Sequence, residues 1–222
     1  MNERDADEEL WRCYNTLLLS PDRSRVSKLI TRYQLFAMSR DVPGHIIECG
    51  VYKGVGLLYW AKLLEISAAN SRKRVIGFDA FGPFREVGLR EQEYEVATRH
   101  DAMAGSMNTM ERVAAAVAAA GFSQRVELVA GDVVQTAPAF ADRNYGLRIS
   151  LLNLDLDTYE GTTAALRAFW PLMSRGGVVI FDEYGLAGMG ESQAVDEFFA
   201  DLEVRPRTLP EFETPTAFLI KP

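Results

Sequence analysis

The sequence predicts a doubly wound, mostly parallel α/β sheet of seven strands with extra helices ahead of it. Three observations carry that prediction. Short apolar runs alternate with helical patterns along most of the chain, glycines bound several of the runs, and an acid stands at or just past the end of five of them.

From Glu8 to Arg40 apolar residues recur at helical spacing, as in Trp11, Leu17 and Leu18 and then Leu29, Tyr33, Phe36 and Ala37. Ser20-Pro21-Asp22 punctuates them as a turn, so two helices precede the sheet. They make residues 1–41 an N-terminal segment suited to a lid or to an interface between copies of the chain, and 42–222 the ligand-binding domain. Asp41-Val42-Pro43-Gly44 ends the helical pattern, and His45-Ile46-Ile47-Glu48-Cys49 reads as the first buried strand. Leu57 to Ile66 is helical, and Arg74 to Asp79 is a second strand ending on an acid. Ala80 to His100 mixes Gly, Pro, aromatics and charges without a period, which predicts a long loop or irregular insertion. Met107 to Ala120 is an Ala-rich helix stopped by Gly121, and Arg125 to Ala130 is a third strand running into Gly131-Asp132. Leu147 to Asp155 forms a fourth, followed by a helix from Thr158 to Met173, and Gly176 to Asp182 forms a fifth. A helix over Ser192 to Ala200 and two short strands, around Val204 and over Ala217 to Ile220, close the chain.

Composition narrows the function. With 222 residues, 48% of them hydrophobic and 25% charged, the chain has the balance of one folded domain. A formal charge of −7 excludes nucleic acid as the expected partner, because phosphate binding relies on clustered Lys and Arg. The two cysteines, Cys13 and Cys49, do not make a disulfide framework. The N-terminus is acidic where a signal peptide would be basic and then apolar, and no apolar run reaches the length of a membrane span. A cytoplasmic protein with no membrane partner is the expectation.

In an open α/β sheet, ligands bind outside the carboxyl ends of the strands. Glu48, Asp79, Asp132, Asp155 and Asp182 all fall at that edge. The loop Glu48-Cys49-Gly50-Val51-Tyr52-Lys53-Gly54 departs from the dinucleotide pattern G-x-G-x-x-G. A carboxylate at Glu48 repels a pyrophosphate and suits the α-ammonium of a methionine moiety. Asp79 is placed for ribose hydroxyls and Asp132 for an adenine amino group, with Ser106 as a further polar contact or a helix N-cap. Asp155-Leu156-Asp157 and Asp182-Glu183 bring several carboxylates to one place, where they repel one another unless a cation neutralises them. Oxygen ligands point to Mg²⁺, Ca²⁺ or Mn²⁺, and Zn²⁺ lacks its Cys/His set. Of the two histidines, His45 starts the first strand, at the opposite end, while His100 in the insert is the candidate general base.

These residues resemble the macrocin O-methyltransferase family, through Glu48 to Gly54, Gly77-Phe78-Asp79-Ala80-Phe81, Leu154 to Glu160 and Gly176 to Tyr184, over a span from about Val42 to Tyr184. The resemblance implies a class I S-adenosylmethionine (SAM) methyltransferase fold and Mg²⁺-dependent methylation of deoxysugar hydroxyls on natural products. It implies SAM contacts for Glu48, Gly50, Gly54 and Asp79, and metal ligation by Asp155, Asp182 and Glu183. The family's acidic pair is commonly Asp-Asp, and here it is Asp182-Glu183. The expected partner is a small-molecule acceptor with a sugar or phenolic hydroxyl. The rival readings are a nucleotide-dependent oxidoreductase on the same fold and a non-catalytic SAM-binding module.

Overall fold

A computed structural model describes residues 3–69, 71–104, 109–210 and 214–222. The strands are β1 (His45–Cys49), β2 (Val75–Asp79), β3 (Val126–Ala130), β4 (Ile149–Leu154), β5 (Met173–Phe181) and β6 (Ala217–Ile220). They form one sheet in the order β3-β2-β1-β4-β5-β6, parallel throughout except for the antiparallel β5–β6 pair. Among the described residues there are six strands where seven were expected. The strand expected around Val204 is replaced by a single antiparallel bridge between Arg207 and Phe218. Pro206 has no N–H to donate, so a ladder cannot extend through it.

The helices are α1 (Glu3–Leu19), α2 (Ser24–Ser39), α3 (Val55–Ala68), α4 (Tyr94–Ala104), α5 (Met110–Ala119), α6 (Val133–Arg143), α7 (Tyr159–Phe169) and α8 (Glu191–Phe199). Alternate strand residues face opposite layers. Ile47, Ile76, Leu152 and Val179 pack with Ala137 and Phe140 of α6, Leu166 and Phe169 of α7 and Val195 of α8. Ile46, Val75, Leu151 and Val178 pack with Leu35 and Phe36 of α2, Leu57 and Trp60 of α3 and Val113 of α5. Each such apolar side chain contributes about 1.5–3 kcal/mol on burial, and together they fix the strand ends that carry the site. Helix α2 is thus part of the core, and Asp22 starts it by accepting from the Ser24 amide at 2.8 Å. Leu10, Trp11, Tyr14 and Leu18 of α1 stay exposed. No helix among the described residues is long and apolar enough to cross a membrane.

Two stretches differ from expectation. The insert after β2 is not an irregular loop: it contains 3₁₀ turns at Phe84–Glu86 and Glu91–Glu93 and then α4. Docking orders it. The buried Glu93 carboxylate accepts from the Tyr159 amide at 2.7 Å and from the Arg90 amide at 2.8 Å, and the Arg90 guanidinium lies 3.1 Å over the Tyr159 ring. The link between β3 and β4 holds α6, whose apolar face of Val133, Ala137 and Phe140 is interrupted in sequence by Pro138.

Candidate active site

The strand order reverses between β1 and β4, and the crevice at that point opens into a cavity of about 750 Å³. Two halves meet there.

The first half is built on β1, β2 and β3. Glu48 is 1% exposed. Its Oε1 accepts from Trp60 Nε1 at 3.2 Å and Asn153 Nδ2 at 3.3 Å, with Arg32 Nη1 at 3.9 Å. Its Oε2 is buried with no donor. Burial pushes the carboxyl up to about 8 against the pull of Arg32. Gly56 makes room for this arrangement, since a Cβ there would lie 2.3 Å from Glu48 Oε1. Gly50, at φ +93°, crosses so close to β4 that a Cβ would sit 1.8 Å from the Asp155 carbonyl oxygen. Gly54, at φ +84°, begins α3. Asp79 binds the loop between them, accepting from the amides of Val51 (2.9 Å), Tyr52 (2.7 Å) and Phe81 (2.6 Å). A carboxylate has about four acceptor positions, so one remains for a hydroxyl in the cavity. Asp132 caps α6 through the Val134 amide at 2.9 Å and accepts from the Gly88 amide at 3.3 Å, while also lining the cavity. Ser106 lies outside the described residues.

The second half is built on β4 and β5. Oxygens of Asp155, Asp157 and Glu183 lie within 4.8 Å of one another. Burial, and after it the neighbouring carboxylates, raises Asp155 to about 6, Glu183 to about 7 and Asp157 well above the usual range. Asp157 does not cap α7; Thr158 does, accepting from the Gly161 amide at 3.2 Å. Asp157 instead sits at φ +63°, a costly backbone for a non-glycine residue, with Oδ1 buried and unbonded. Asp182, fully buried, turns to α2: Lys28 Nζ lies 2.7 Å and Arg32 Nη2 3.4 Å from its carboxylate. Glu191 lies behind the group, accepting from the Glu183 amide at 2.9 Å. An oxygen-only donor set with an orphaned buried oxygen fits a hard divalent cation.

His100 lines the cavity with its ring 5.0 Å from Tyr52 and 5.1 Å from Phe84, its Nδ1 buried and unbonded. Burial holds its pKa below the usual imidazole value. His45 is remote from the cavity and accepts from the Arg74 amide at 3.1 Å. Lys28, Arg32 and Asn153 were missed by the sequence reading. Nothing in the sequence sets Lys28 and Arg32 apart from other helix charges, although their four-residue spacing puts them on one side of the helix. Asn153 was a readable signal, a polar residue inside an otherwise apolar β4.

Fold and site together define a class: a doubly wound α/β protein with a cavity and a row of acids at the switch point of its sheet. The family model described as macrocin-O-methyltransferase (TylF) matches residues 23–208, and the chain belongs to that family. It is 30% identical over 151 residues to the 8-demethyl-8-(2,3-dimethoxy-alpha-L-rhamnosyl)-tetracenomycin-C 4'-O-methyltransferase of Streptomyces olivaceus, covering 67% of this chain and 56% of that one. It is 23% identical over 180 residues to the demethyldecarbamoylnovobiocin O-methyltransferase of Streptomyces niveus, covering 75% and 62%. The matched region thus spans less than two thirds of each of these relatives. Among solved structures, the calicheamicin methyltransferase CalS11 aligns with a TM-score of 0.73 at 27% identity, over 99% of this chain and 94% of that one.

Proposed function

We propose that the chain is a SAM-dependent O-methyltransferase that methylates a hydroxyl of a deoxysugar, either attached to a natural product or activated as a nucleotide sugar. The observation that carries this reading is the adjacency of the two halves across the β1/β4 crevice, one suited to the donor and one to a cation and a hydroxyl. The relatives support the acceptor class: the Streptomyces olivaceus enzyme is named for a rhamnosyl substrate, and CalS11 is described as a TDP-rhamnose 3'-O-methyltransferase.

In this reading Glu48 takes the donor's ammonium, Asp79 its ribose and Asp132 the adenine edge, with Gly50 and Gly54 shaping the loop between them. Asp155 and Glu183 would hold Mg²⁺, with Asp157 at the edge of the group and Asp182 adjoining it. Bound there, the metal would lower the pKa of the acceptor hydroxyl. When bound, the donor would supply an electrophilic methyl group, which the acceptor oxygen would take in line as the carbon–sulfur bond leaves its electron pair on the sulfur. Alignment supplies most of the rate, and no covalent enzyme intermediate is needed. The hydroxyl proton has two candidate destinations. His100 stands against Tyr52 near Asp79, on the donor's side, whereas Asp157 stands in the carboxylate group with an unbonded oxygen. We therefore assign the proton to Asp157 and the His100 ring to the donor's wall. His100→Ala separates the roles: a raised KM for SAM at unchanged kcat supports the wall, and a lost kcat at unchanged KM restores His100 as the base.

The deciding experiment is thermal stability with SAM, S-adenosylhomocysteine or NAD, each with and without Mg²⁺, followed by mass-spectrometric detection of methyl transfer to TDP-rhamnose. A ligand at a hundred times its Kd adds about 2.7 kcal/mol, a shift of several degrees for a domain of this size. Stabilisation by the SAM pair and a methylated sugar product are expected. Stabilisation by NAD alone overturns the reading in favour of an oxidoreductase.

A further inference from the structure

Two cations face the carboxylate group, and they are not equivalent. Arg32 is 6% exposed, its guanidinium lies 5.5 Å from the Trp60 ring centroid, and it reaches Glu48, Asp155 and Asp182 at 3.9, 3.2 and 3.4 Å. It is locked between α3 and the strand ends. Lys28, one turn earlier on α2, keeps 22% of its side chain exposed at the cavity wall, with its ammonium 2.7 Å from Asp182 and 3.7 Å from Asp155. A flexible four-carbon stem lets that charge swing into the cavity without moving the helix.

We propose that Lys28 is a tethered counter-ion that competes with the divalent metal for Asp182 and Asp155, and so sets the metal affinity of the site. It is a positioning residue: it holds Asp182 and touches no reacting atom. The inference rests on the reading that these carboxylates bind metal. Its physical basis is local charge. Besides Lys28, the groups facing Asp182 and Asp155 are Arg32, Glu48, Asp157, Glu183 and Glu191, so that four further carboxyls stand against one fixed guanidinium. Divalent metal and ammonium repel each other at such range, so a metal on Asp155, beside Asp182, favours withdrawal of Lys28 from both carboxylates.

The test is titration of the metal-free full chain with Mn²⁺, read by electron paramagnetic resonance, and with Mg²⁺, read by calorimetry, for the wild type, K28M, K28Q, K28R and E183Q. Circular dichroism checks that each variant is folded. K28M and K28Q should bind metal at least about tenfold more tightly, the scale on which one neighbouring charge moves a carboxylate equilibrium. K28R should stay with the wild type, and E183Q should bind more weakly. If the wild type binds and E183Q weakens binding, but neutral variants at position 28 bind equally or less tightly, the competition is overturned. If the wild type binds no metal, or E183Q leaves binding unchanged, the metal reading beneath it fails instead.

Discussion

The two ends of the same parallel strands are chemically opposite. At the amino end the polar groups are spent on the fold. Lys73 Nζ donates to the carbonyls of Val42 (2.6 Å) and Ser39 (3.2 Å) and to Ser150 Oγ (3.1 Å). Arg125 donates to the Ala69 carbonyl at 2.8 Å, and Arg74 pairs with Glu127 at 2.8 Å. At the carboxyl end Glu48, Asp155, Asp157, Glu183 and Glu191 are all pushed toward protonation, first by burial. Glu48 Oε2, Asp157 Oδ1 and Glu191 Oε2 are buried there without donors. Each unsatisfied group costs about 1–3 kcal/mol, which the apolar layers above and below the sheet must offset. The charges named at the amino end are spent on the fold, whereas the carboxyl end keeps buried carboxylate oxygens unbonded.

Replacing a carboxyl-end acid should therefore damage function far more than replacing an amino-end charge. The largest effect is expected for Asp155→Ala. It removes one of three clustered oxygens and a partner of both Lys28 and Arg32. Methyl transfer should fall about a hundredfold, the scale of losing one preorganised electrostatic group. Any rise of the thermal midpoint with Mg²⁺ should vanish as well. Retained activity and retained Mg²⁺ stabilisation would sink the assignment of this half of the crevice.

Next in size is Asp79→Ala, which leaves the amides of Val51, Tyr52 and Phe81 without their acceptor. With several charge-assisted bonds lost, the ligand-free protein should lose about 3 kcal/mol in denaturant unfolding. Its gain on adding SAM should shrink too. A loss of stability with the full SAM gain intact would make Asp79 a loop tie alone.

Glu48→Gln reverses the usual sign. The Glu48 carboxyl stands at about 8 against an ordinary 4.5, so the folded state holds its proton more tightly than the unfolded state does. Its contribution to stability is fully present below 4.5 and is lost as the pH climbs toward 8. The Gln variant lacks that slope and should be more stable than the wild type by about 4 kcal/mol at pH 8 without SAM. With SAM the order should invert, because the donor's ammonium loses its carboxylate. Parallel pH profiles for the two proteins would show that Glu48 is ionised and satisfied in the fold.

The comparison also shows what a sequence reveals. Glu48, Asp79, Asp155 and Asp182 were legible because an acid that ends an apolar run has a fixed address, the carboxyl edge of the sheet. Lys28 and Arg32 had no such address: their role depends on α2 packing over β4 and β5, and a charge on a helix reads as solvated until its neighbour is known. Helix α6 was hidden by Pro138, although Val133, Ala137 and Phe140 kept helical spacing. Helix α4 is held by Glu93 and Arg90 against α7, contacts about 66 to 70 residues distant in sequence that no local period encodes. The placement of Asp157 was legible only in part, since the D-x-D spacing is visible but its left-handed backbone is not.

The smallest expected effect lies at the other end, and it tests the contrast from the side where nothing should happen. Arg74 pairs with Glu127 across β2 and β3, with side chains 45% and 36% exposed. A pair so open to water is screened and loses side-chain entropy in forming, so Arg74→Ala should change stability by no more than about 0.5 kcal/mol. The bond to His45 comes from the Arg74 backbone amide and survives the substitution. Neither methyl transfer nor Mg²⁺ binding should move. If Arg74→Ala impaired catalysis as Asp155→Ala is expected to, charge at the amino end would be coupled to the crevice through the length of the strands, and the division of labour between the two ends would be wrong.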